Sequence, residues 1–155
     1  MLSKLREKYR QGMSYKREME EVKEWLRSYR KLATQVDALK ERLVATREQL
    51  TSARALVYDD MPHGSGSLSD LSDAMARLEE QEGEIIEKLL EVDSARMEIV
   101  DALNTLPVPV REVMYDRYIS WKSWERIFVE SNMSKRAVLY RHKEGLMMLI
   151  TKCPH

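Results

Sequence analysis

Apolar residues recur every three or four positions along two long, otherwise charged stretches of the chain. This spacing places them on one side of a helix and predicts two long helices, over about 14–56 and 67–105. The first stretch starts at Ser14, a candidate N-cap, and contains no proline or glycine. Its apolar positions include Met19, Val22, Leu26, Val36, Leu43 and Leu50, and those of the second include Met75, Leu78, Ile85, Leu89, Val92, Ile99 and Leu103.

The segment 57–66 separates the two helices, because its proline and glycines end any helix there. If the chain folds back at this loop, residues whose numbers add to 125 face each other. Apolar residues then meet along the pair, as in Val22 with Leu103, Leu26 with Ile99, Val36 with Leu89 and Leu50 with Met75. The pattern predicts an antiparallel helical hairpin of coiled-coil character over 14–106, preceded by an N-terminal extension, 1–13. The same stripe would also suit a docking groove or a dimer seam.

Pro107 and Pro109 interrupt the helical pattern and predict a boundary, with a second domain over 107–155. After a helix near 109–120, a short apolar segment follows Ser123 and a longer one follows Ser134, and each serine is a candidate N-cap. Asn132 lies between them, where a helix-turn-helix needs a residue that tolerates positive φ. The fold class predicted is all-α, a long hairpin followed by a C-terminal helix-turn-helix. The inner face of its last helix would be Val138, His142, Leu146 and Leu149.

Charge changes the picture, although the whole chain is neutral, with 26 basic and 26 acidic residues. Residues 107–155 hold nine Lys or Arg against five Asp or Glu, so the positive charge collects where a nucleic-acid partner would bind. The start of the second helix of a helix-turn-helix faces the major groove, and helix N-termini can hold phosphates. The predicted DNA-binding residues are therefore Ser123, Ser134, Lys135, Arg136, Leu139, Tyr140 and Lys143. Leu139 and Tyr140 could equally be packing residues.

A family resemblance rests on the run RYISWKSWERI, on Ser134 to Val138, and on His142 and Leu146. These residues resemble the C-terminal, upstream-promoter-reading domain of bacterial sigma factors. With the run GSGSLSDLSDAMARLEEQEGEI, the order of segments resembles small sigma-like proteins of phages and prophages of Gram-positive bacteria, relatives of the RinA and ArpU type of late-gene activator. The resemblance covers nearly all of the chain except the first dozen residues, and it implies a transcriptional regulator of phage genes.

Four residues depart from the family pattern. Phe128 replaces a usual alanine, Ser131 a leucine, Arg141 an apolar residue, and Trp121 a glycine or acidic residue. A phenylalanine at the contact between the two helices would force them apart unless Ser131 makes room. We expect the fold to tolerate these four residues. The property that they would reduce is the affinity for DNA.

No group of residues suggests an enzyme, a cofactor or a metal site. The carboxylates alternate with bases along helix faces, as on solvated surfaces. Cys153, His155 and His142 offer too few ligands near a chain end to define a zinc site, and His63 lies in the predicted loop. The single cysteine and the lack of an apolar span or of a signal-peptide core favour a cytoplasmic protein with no membrane partner.

Two functions are consistent with these patterns. The first is a sequence-specific transcriptional regulator that binds double-stranded DNA at a promoter or operator, in which the hairpin contacts RNA polymerase or forms a homo-oligomer. The second is a protein-interaction module, an adaptor or an antagonist of a sigma factor or RNA polymerase, with a degenerate helix-turn-helix.

Overall fold

The structure is a computed structural model that describes residues 2–59 and 66–154, with side chains described for 12–55 and 70–154. Every element in these ranges is helical, which confirms the all-α prediction. The elements are α1 (Leu2–Asp59), α2 (Gly66–Asn104), α3 (Val108–Tyr118), α4 (Trp124–Glu130), α5 (Lys135–Leu149) and a 3-10 turn (Ile150–Lys152).

The start of the first helix differs from the prediction. The segment 1–13 was expected to be an extension, but α1 already begins at Leu2. Leu, Lys, Arg and Glu dominate this segment, and these residues favour helix strongly enough to outweigh Gly12. Ser14 is therefore inside the helix and caps nothing; its hydroxyl donates to a Glu18 carboxylate oxygen at 3.1 Å. Most of the predicted loop, from 60 to 65, lies outside the described residues.

The chain divides into two compact units, and the division does not fall at the predicted boundary at Pro107. The first unit contains Met1–Lys31 and Ser94–His155, and the second contains Leu32–Asp93. In the first unit one hydrophobic cluster joins α1, α2, α3 and α5: Val22, Leu26, Ile99, Ala102, Leu103, Leu106, Val110, Met114, Tyr118, Ile119, Leu146 and Leu149. Apolar residues of the long helices thus complete the core of the small C-terminal helices, which a boundary at 107 would split.

This shared cluster contains both members of two predicted pairs. Val22, Leu26, Ile99 and Leu103 are all fully buried in it, as expected for facing residues of an antiparallel pair. Trp25 packs against the same cluster from α1. Proline at the start of α3 and the turn before it let the chain leave α2 and return over this surface.

Gly145 allows α5 to lie close to α3. A Cβ atom on Gly145 would come within 2.7 Å of Met114 Cγ, 2.9 Å of Met114 Sδ and 3.0 Å of Val110 Cγ1. Both neighbouring side chains are fully buried, so they have little room to move. The glycine therefore fixes the approach of the two helices by its small size.

The second unit has a much thinner apolar core. Within its described residues, the buried hydrophobic side chains are Val36 in α1 and Ile85 in α2. Arg47 pairs with Glu82, and Arg54 Nη2 lies 3.8 Å from Met75 Sδ. From Arg47 to Arg54 the chain advances along α1, while their partners go back along α2 from Glu82 to Met75. The two helices are therefore antiparallel here.

The predicted seam is partly wrong in the second unit. Leu89 and Met75, the expected partners of Val36 and Leu50, are 41% and 46% exposed. Glu82 and Met75 contact Arg47 and Arg54 of α1. The predicted pairing placed them opposite Leu43 and Leu50, so the observed partners lie four residues, or about one helical turn, further along α1. Three-four spacing allowed both Ile85 and Leu89 on the inner stripe, and packing buries only Ile85.

Candidate nucleic-acid interface

The short helix α4, a turn and the longer helix α5 follow one another in the predicted order, and side chains cap both helices as predicted. The Ser123 hydroxyl accepts a hydrogen bond from the Arg126 backbone N–H at 3.3 Å, and the Ser134 hydroxyl accepts one from Ala137 at 3.1 Å. Asn132, between them, has φ of 53°, the left-handed conformation that the turn was expected to need. These local features fix where α5 begins and which way its first turn faces.

Helix α5 has one buried and one exposed side. Val138, His142, Gly145, Leu146 and Leu149 are buried, in agreement with the predicted inner face. All seven predicted DNA-binding residues are exposed. Five of them lie on α5, and among these Tyr140 is 68% and Leu139 48% exposed, so neither is a core residue. The structure thus leaves the predicted reading surface of α5 open to solvent.

The basic side chains of α4 and α5 differ in whether they have acidic partners. Lys122, just before α4, contacts Asp116 at 3.1 Å and Glu130 at 2.6 Å, and Arg126 contacts Glu130 at 2.6 Å. In the described part of the chain, no ion pair engages the basic residues of the α5 surface: Lys135, Arg136 and Lys143. Lys135 Nζ instead lies 5.8 Å from the centre of the Phe128 ring. Lys135, Arg136 and Lys143 are thus available to an outside anion without first breaking an ion pair of the described residues.

The two capped helix N-termini also differ as anion sites. Glu125 lies in the first turn of α4, where hydrogen bonds from its own backbone N–H and then from the Ser123 side chain lower the pKa of its carboxyl. The first turn of α5 contains no acidic residue and begins with Lys135 and Arg136. A phosphate would therefore meet a carboxylate at Ser123 and two cations at Ser134. Of the two predicted serines, Ser134 has the setting that suits a phosphate.

Aromatic residues pack against His142 on the buried side of α5. The Tyr118 hydroxyl lies 2.9 Å from His142 Nε2, and the Trp124 ring meets the imidazole edge to face at 4.8 Å. Burial, with the nearby charges of Lys23, Arg117 and Arg27, lowers the pKa of His142 from 6.5 to about 4. Burial likewise raises the pKa of Tyr118 to about 12. Both groups are therefore neutral at pH 7, and the tyrosine hydroxyl can donate to the unprotonated ring nitrogen.

Phe128, Ser131 and Arg141, three of the four residues noted above as departures, are all partly buried. Phe128 is half-buried, stacks on Trp124 with ring centres 6.1 Å apart, and packs at the edge of a small cluster of Val113, Ile127 and Val138. Ser131 and Arg141 are also half-buried. The small cluster retains three buried side chains beside the phenylalanine, so α4 still has an apolar contact with α3 and α5.

Trp121 has a backbone conformation that glycine adopts more readily than tryptophan does. Its φ is 55°, a backbone conformation that residues other than glycine and asparagine rarely adopt. The indole ring packs on Tyr29 of α1, with ring centres 5.3 Å apart, and the Arg30 guanidinium lies 5.7 Å from its centre. Packing against α1 thus accompanies an unfavourable backbone conformation, and no pattern along the chain indicated this contact.

Met147 of α5 and Val129 of α4 are exposed apolar residues that were missed. Met147 is 48% exposed and lies four residues after Lys143, so it extends the same side of α5 by one turn. Val129, in α4, is 82% exposed. Continuing the spacing from Arg136 through Lys143 would have found Met147, whereas Val129 follows no periodic signal in so short a helix.

The described residues contain no group of three or more His, Cys, Asp or Glu side chains placed to hold a metal ion. Within the same ranges no helix is both long and apolar enough to cross a membrane. Comparison of the chain with protein-family profiles, with curated protein sequences and with solved structures found no significant match.

Proposed function

We propose that the chain is a sequence-specific DNA-binding transcriptional regulator that reads the major groove of duplex DNA with α5. The observation that carries the proposal is the exposed α5 surface, on which Lys135, Arg136 and Lys143 have no acidic partner among the described residues. Cations in this setting can neutralise phosphates, and arginine can bind a guanine edge with two hydrogen bonds.

Each residue has a role in this proposal. Ser134 and the first turn of α5 hold a backbone phosphate, and Lys135 and Arg136 approach the bases at the start of the helix. Tyr140 and Leu139, one turn further, contact thymine methyl groups or the sugar-phosphate backbone. Lys143 binds a second phosphate. Action at a promoter, contact with RNA polymerase and a phage origin rest on the resemblance to sigma-like regulators alone.

The test is a mobility-shift experiment on DNA selected by the full-length protein from a random pool, at two salt concentrations. Lys135→Ala/Arg136→Ala should abolish specific binding, because each lost base contact costs about 1–3 kcal/mol, while helicity by circular dichroism stays unchanged. The matched control is Lys40→Ala/Arg42→Ala, which removes the same charge from exposed positions of α1. Equal losses in both variants would mean general electrostatic attraction, and no loss in either would contradict the proposal.

A protein-interaction module is the second candidate, and the apolar part of the α5 surface favours it. Leu139, Tyr140 and Met147 are each about half exposed or more, and aromatic and methionine side chains are enriched in protein interfaces. In that case the selection would recover no preferred DNA sequence, and Tyr140→Ala would weaken the capture of a protein partner more than Lys135→Ala/Arg136→Ala would.

A further inference from the structure

Tyr140 is the most exposed large apolar side chain of α5. It is 68% exposed, against 48% for Leu139, 48% for Met147 and 41% for Met148. At 100° for each residue, it lies about 180° from the middle of the buried side of the helix. Among the described residues, the ring and cation–π contacts involve other aromatic side chains and not Tyr140. A large aromatic ring therefore faces solvent on the side of α5 away from the core.

Arg136, Lys143 and Met147 share this side of α5 with Tyr140. They lie about 140°, 120° and 160° from the middle of the buried side, in the same sense. All four side chains are exposed, and they follow one another at spacings of four, three and four residues. They therefore form one continuous row, which we call the ridge. Neither cation of the ridge has an ion-pair partner in the described ranges, so the ring stands between two available positive charges.

The two flanks of the ridge differ in charge. Leu139 lies about 80° from the middle of the buried side, on the flank next to Lys143. Glu144, the one acidic residue of α5, lies on the other flank, about 40° beyond Tyr140, and is half-buried. Because a carboxylate repels phosphates, a DNA backbone would approach α5 on the side of Lys143 and Leu139. Leu139 is then next to the backbone, and Tyr140 faces the base edges.

The exposed ring of Tyr140 suits one apolar group of the major groove, the methyl group of thymine. The other groups that base edges present there are hydrogen-bond donors and acceptors. An aromatic ring placed against those polar groups would remove their water and give no hydrogen bond in return. A methyl group and a ring exclude water from each other at no such cost. The ring therefore favours thymine over cytosine, which has no methyl group at the same position of its ring.

We propose that Tyr140 determines sequence specificity by packing its ring on the methyl group of a thymine in the major groove, while Leu139 contacts the backbone. Tyr140 has this role only if α5 enters the groove, so the specificity rests on the proposed function. Helix α5 rises about 6 Å from Arg136 to Tyr140, and successive base pairs are about 3.4 Å apart. The thymine should therefore lie within about two base pairs of a guanine bound by Arg136.

Uracil in place of thymine tests the contact, because this change removes the methyl group and leaves the rest of the base edge as it was. The DNA selected by the full-length protein is remade with one uracil at a time, and binding is measured by mobility shift. At one or two positions the dissociation constant should rise about four-fold, the effect of burying one methyl group. Tyr140→Ala should bind the thymine and uracil forms equally.

Two control variants separate the ring from other effects. Tyr140→Phe keeps the ring and should retain the difference between thymine and uracil, as should Tyr15→Ala, which removes another exposed tyrosine, at 51%, from α1. An equal uracil effect in the parent and in Tyr140→Ala, or its loss in Tyr140→Phe, would overturn the proposal. A preferred sequence that binds equally well with uracil overturns only the specificity, whereas a selection that recovers no preferred sequence overturns the proposed function as well.

A second substitution in the DNA measures the distance between the two contacts. 7-Deazaguanine lacks the N7 acceptor of guanine, so at one position it should weaken binding by the parent but not by Arg136→Ala. That guanine should lie within about two base pairs of the thymine that is sensitive to uracil. A larger separation would contradict the placement of Arg136 and Tyr140 side by side in one groove.

Discussion

The two units of the chain are built from the same two long helices, yet they are stabilised differently. The first unit buries twelve hydrophobic residues in a single cluster to which four helices contribute. The second buries Val36 and Ile85 among its described residues and adds the Arg47–Glu82 ion pair, which is about half exposed. Exposed ion pairs contribute little, and buried aliphatic side chains contribute about 1.5–3 kcal/mol each. A long helical pair therefore gains most of its stability where other helices pack on it.

The largest effect should come from cutting the chain at the predicted boundary. The fragment 107–155 loses Val22, Leu26, Ile99 and Leu103, all fully buried partners of its own residues, and a piece of about fifty residues has little else to bury. We expect it to be largely unfolded by circular dichroism and to bind no DNA. A chain in which a glycine-serine loop replaces 36–89 keeps this cluster and should fold. Cooperative thermal unfolding of the fragment 107–155 would contradict this view of the core.

The next effect is a pH dependence confined to the first unit. Because the pKa of His142 is about 4 when folded and 6.5 in an exposed chain, only the unfolded state gains a proton between these values. Stability should be complete above about pH 6.5 and fall by up to about 1.4 kcal/mol for each pH unit towards pH 4. Urea titrations at pH 7, 6 and 5 measure this loss.

The control for the pH dependence is His142→Gln, which removes the titrating ring. Its stability should change less than that of the parent between pH 7 and 5, because the carboxyls with lowered pKa, such as those of Glu125 and Glu130, titrate below that window. Equal stability of the parent at pH 7 and pH 5 would show that His142 is not sequestered from protons.

The smallest expected effect is the change in stability when one glycine from each unit is replaced by alanine. Gly83 has open space around its Cα, so Gly83→Ala should stabilise the chain by about 0.5–1 kcal/mol through helix propensity alone. Gly145→Ala gains the same propensity but collides with Met114 and Val110, and overpacking of this kind costs about 1–3 kcal/mol. We expect opposite signs in urea titrations. A stabilising Gly145→Ala would mean that α3 and α5 can separate without loss.

The features that the sequence predicted correctly depend on residues that are close together in the chain. The caps at Ser123 and Ser134, the conformation of Asn132 and the inner face of α5 each depend on residues a few positions apart. The spacing of apolar residues also identified Val22 and Leu26 as inward-facing. It could not say that α3 and α5 would complete their core, because periodicity shows which side of a helix is covered but not by what.

The candidate site divides in the same way. Exposure of Lys135 and Arg136 was predictable, since they lie opposite an apolar stripe, whereas the sequence left open whether Leu139 and Tyr140 are core residues. DNA binding by these residues stays a prediction. The pairing of Lys122 with Asp116 and Glu130 joins side chains on either side of a turn, and no local spacing indicates it. Likewise, the positive φ of Trp121 comes with packing on Tyr29, about ninety residues earlier, which no local rule could supply.

The placement of the tryptophans has a consequence for spectroscopy. All three belong to the first unit: Trp25 packs on the shared cluster, Trp121 on Tyr29, and Trp124 on Phe128 and His142. Intrinsic tryptophan fluorescence therefore reports the unfolding of the first unit only, whereas far-ultraviolet circular dichroism reports the helices of both. Any difference between the two unfolding curves measures how far the second unit melts by itself, with no label added to the protein.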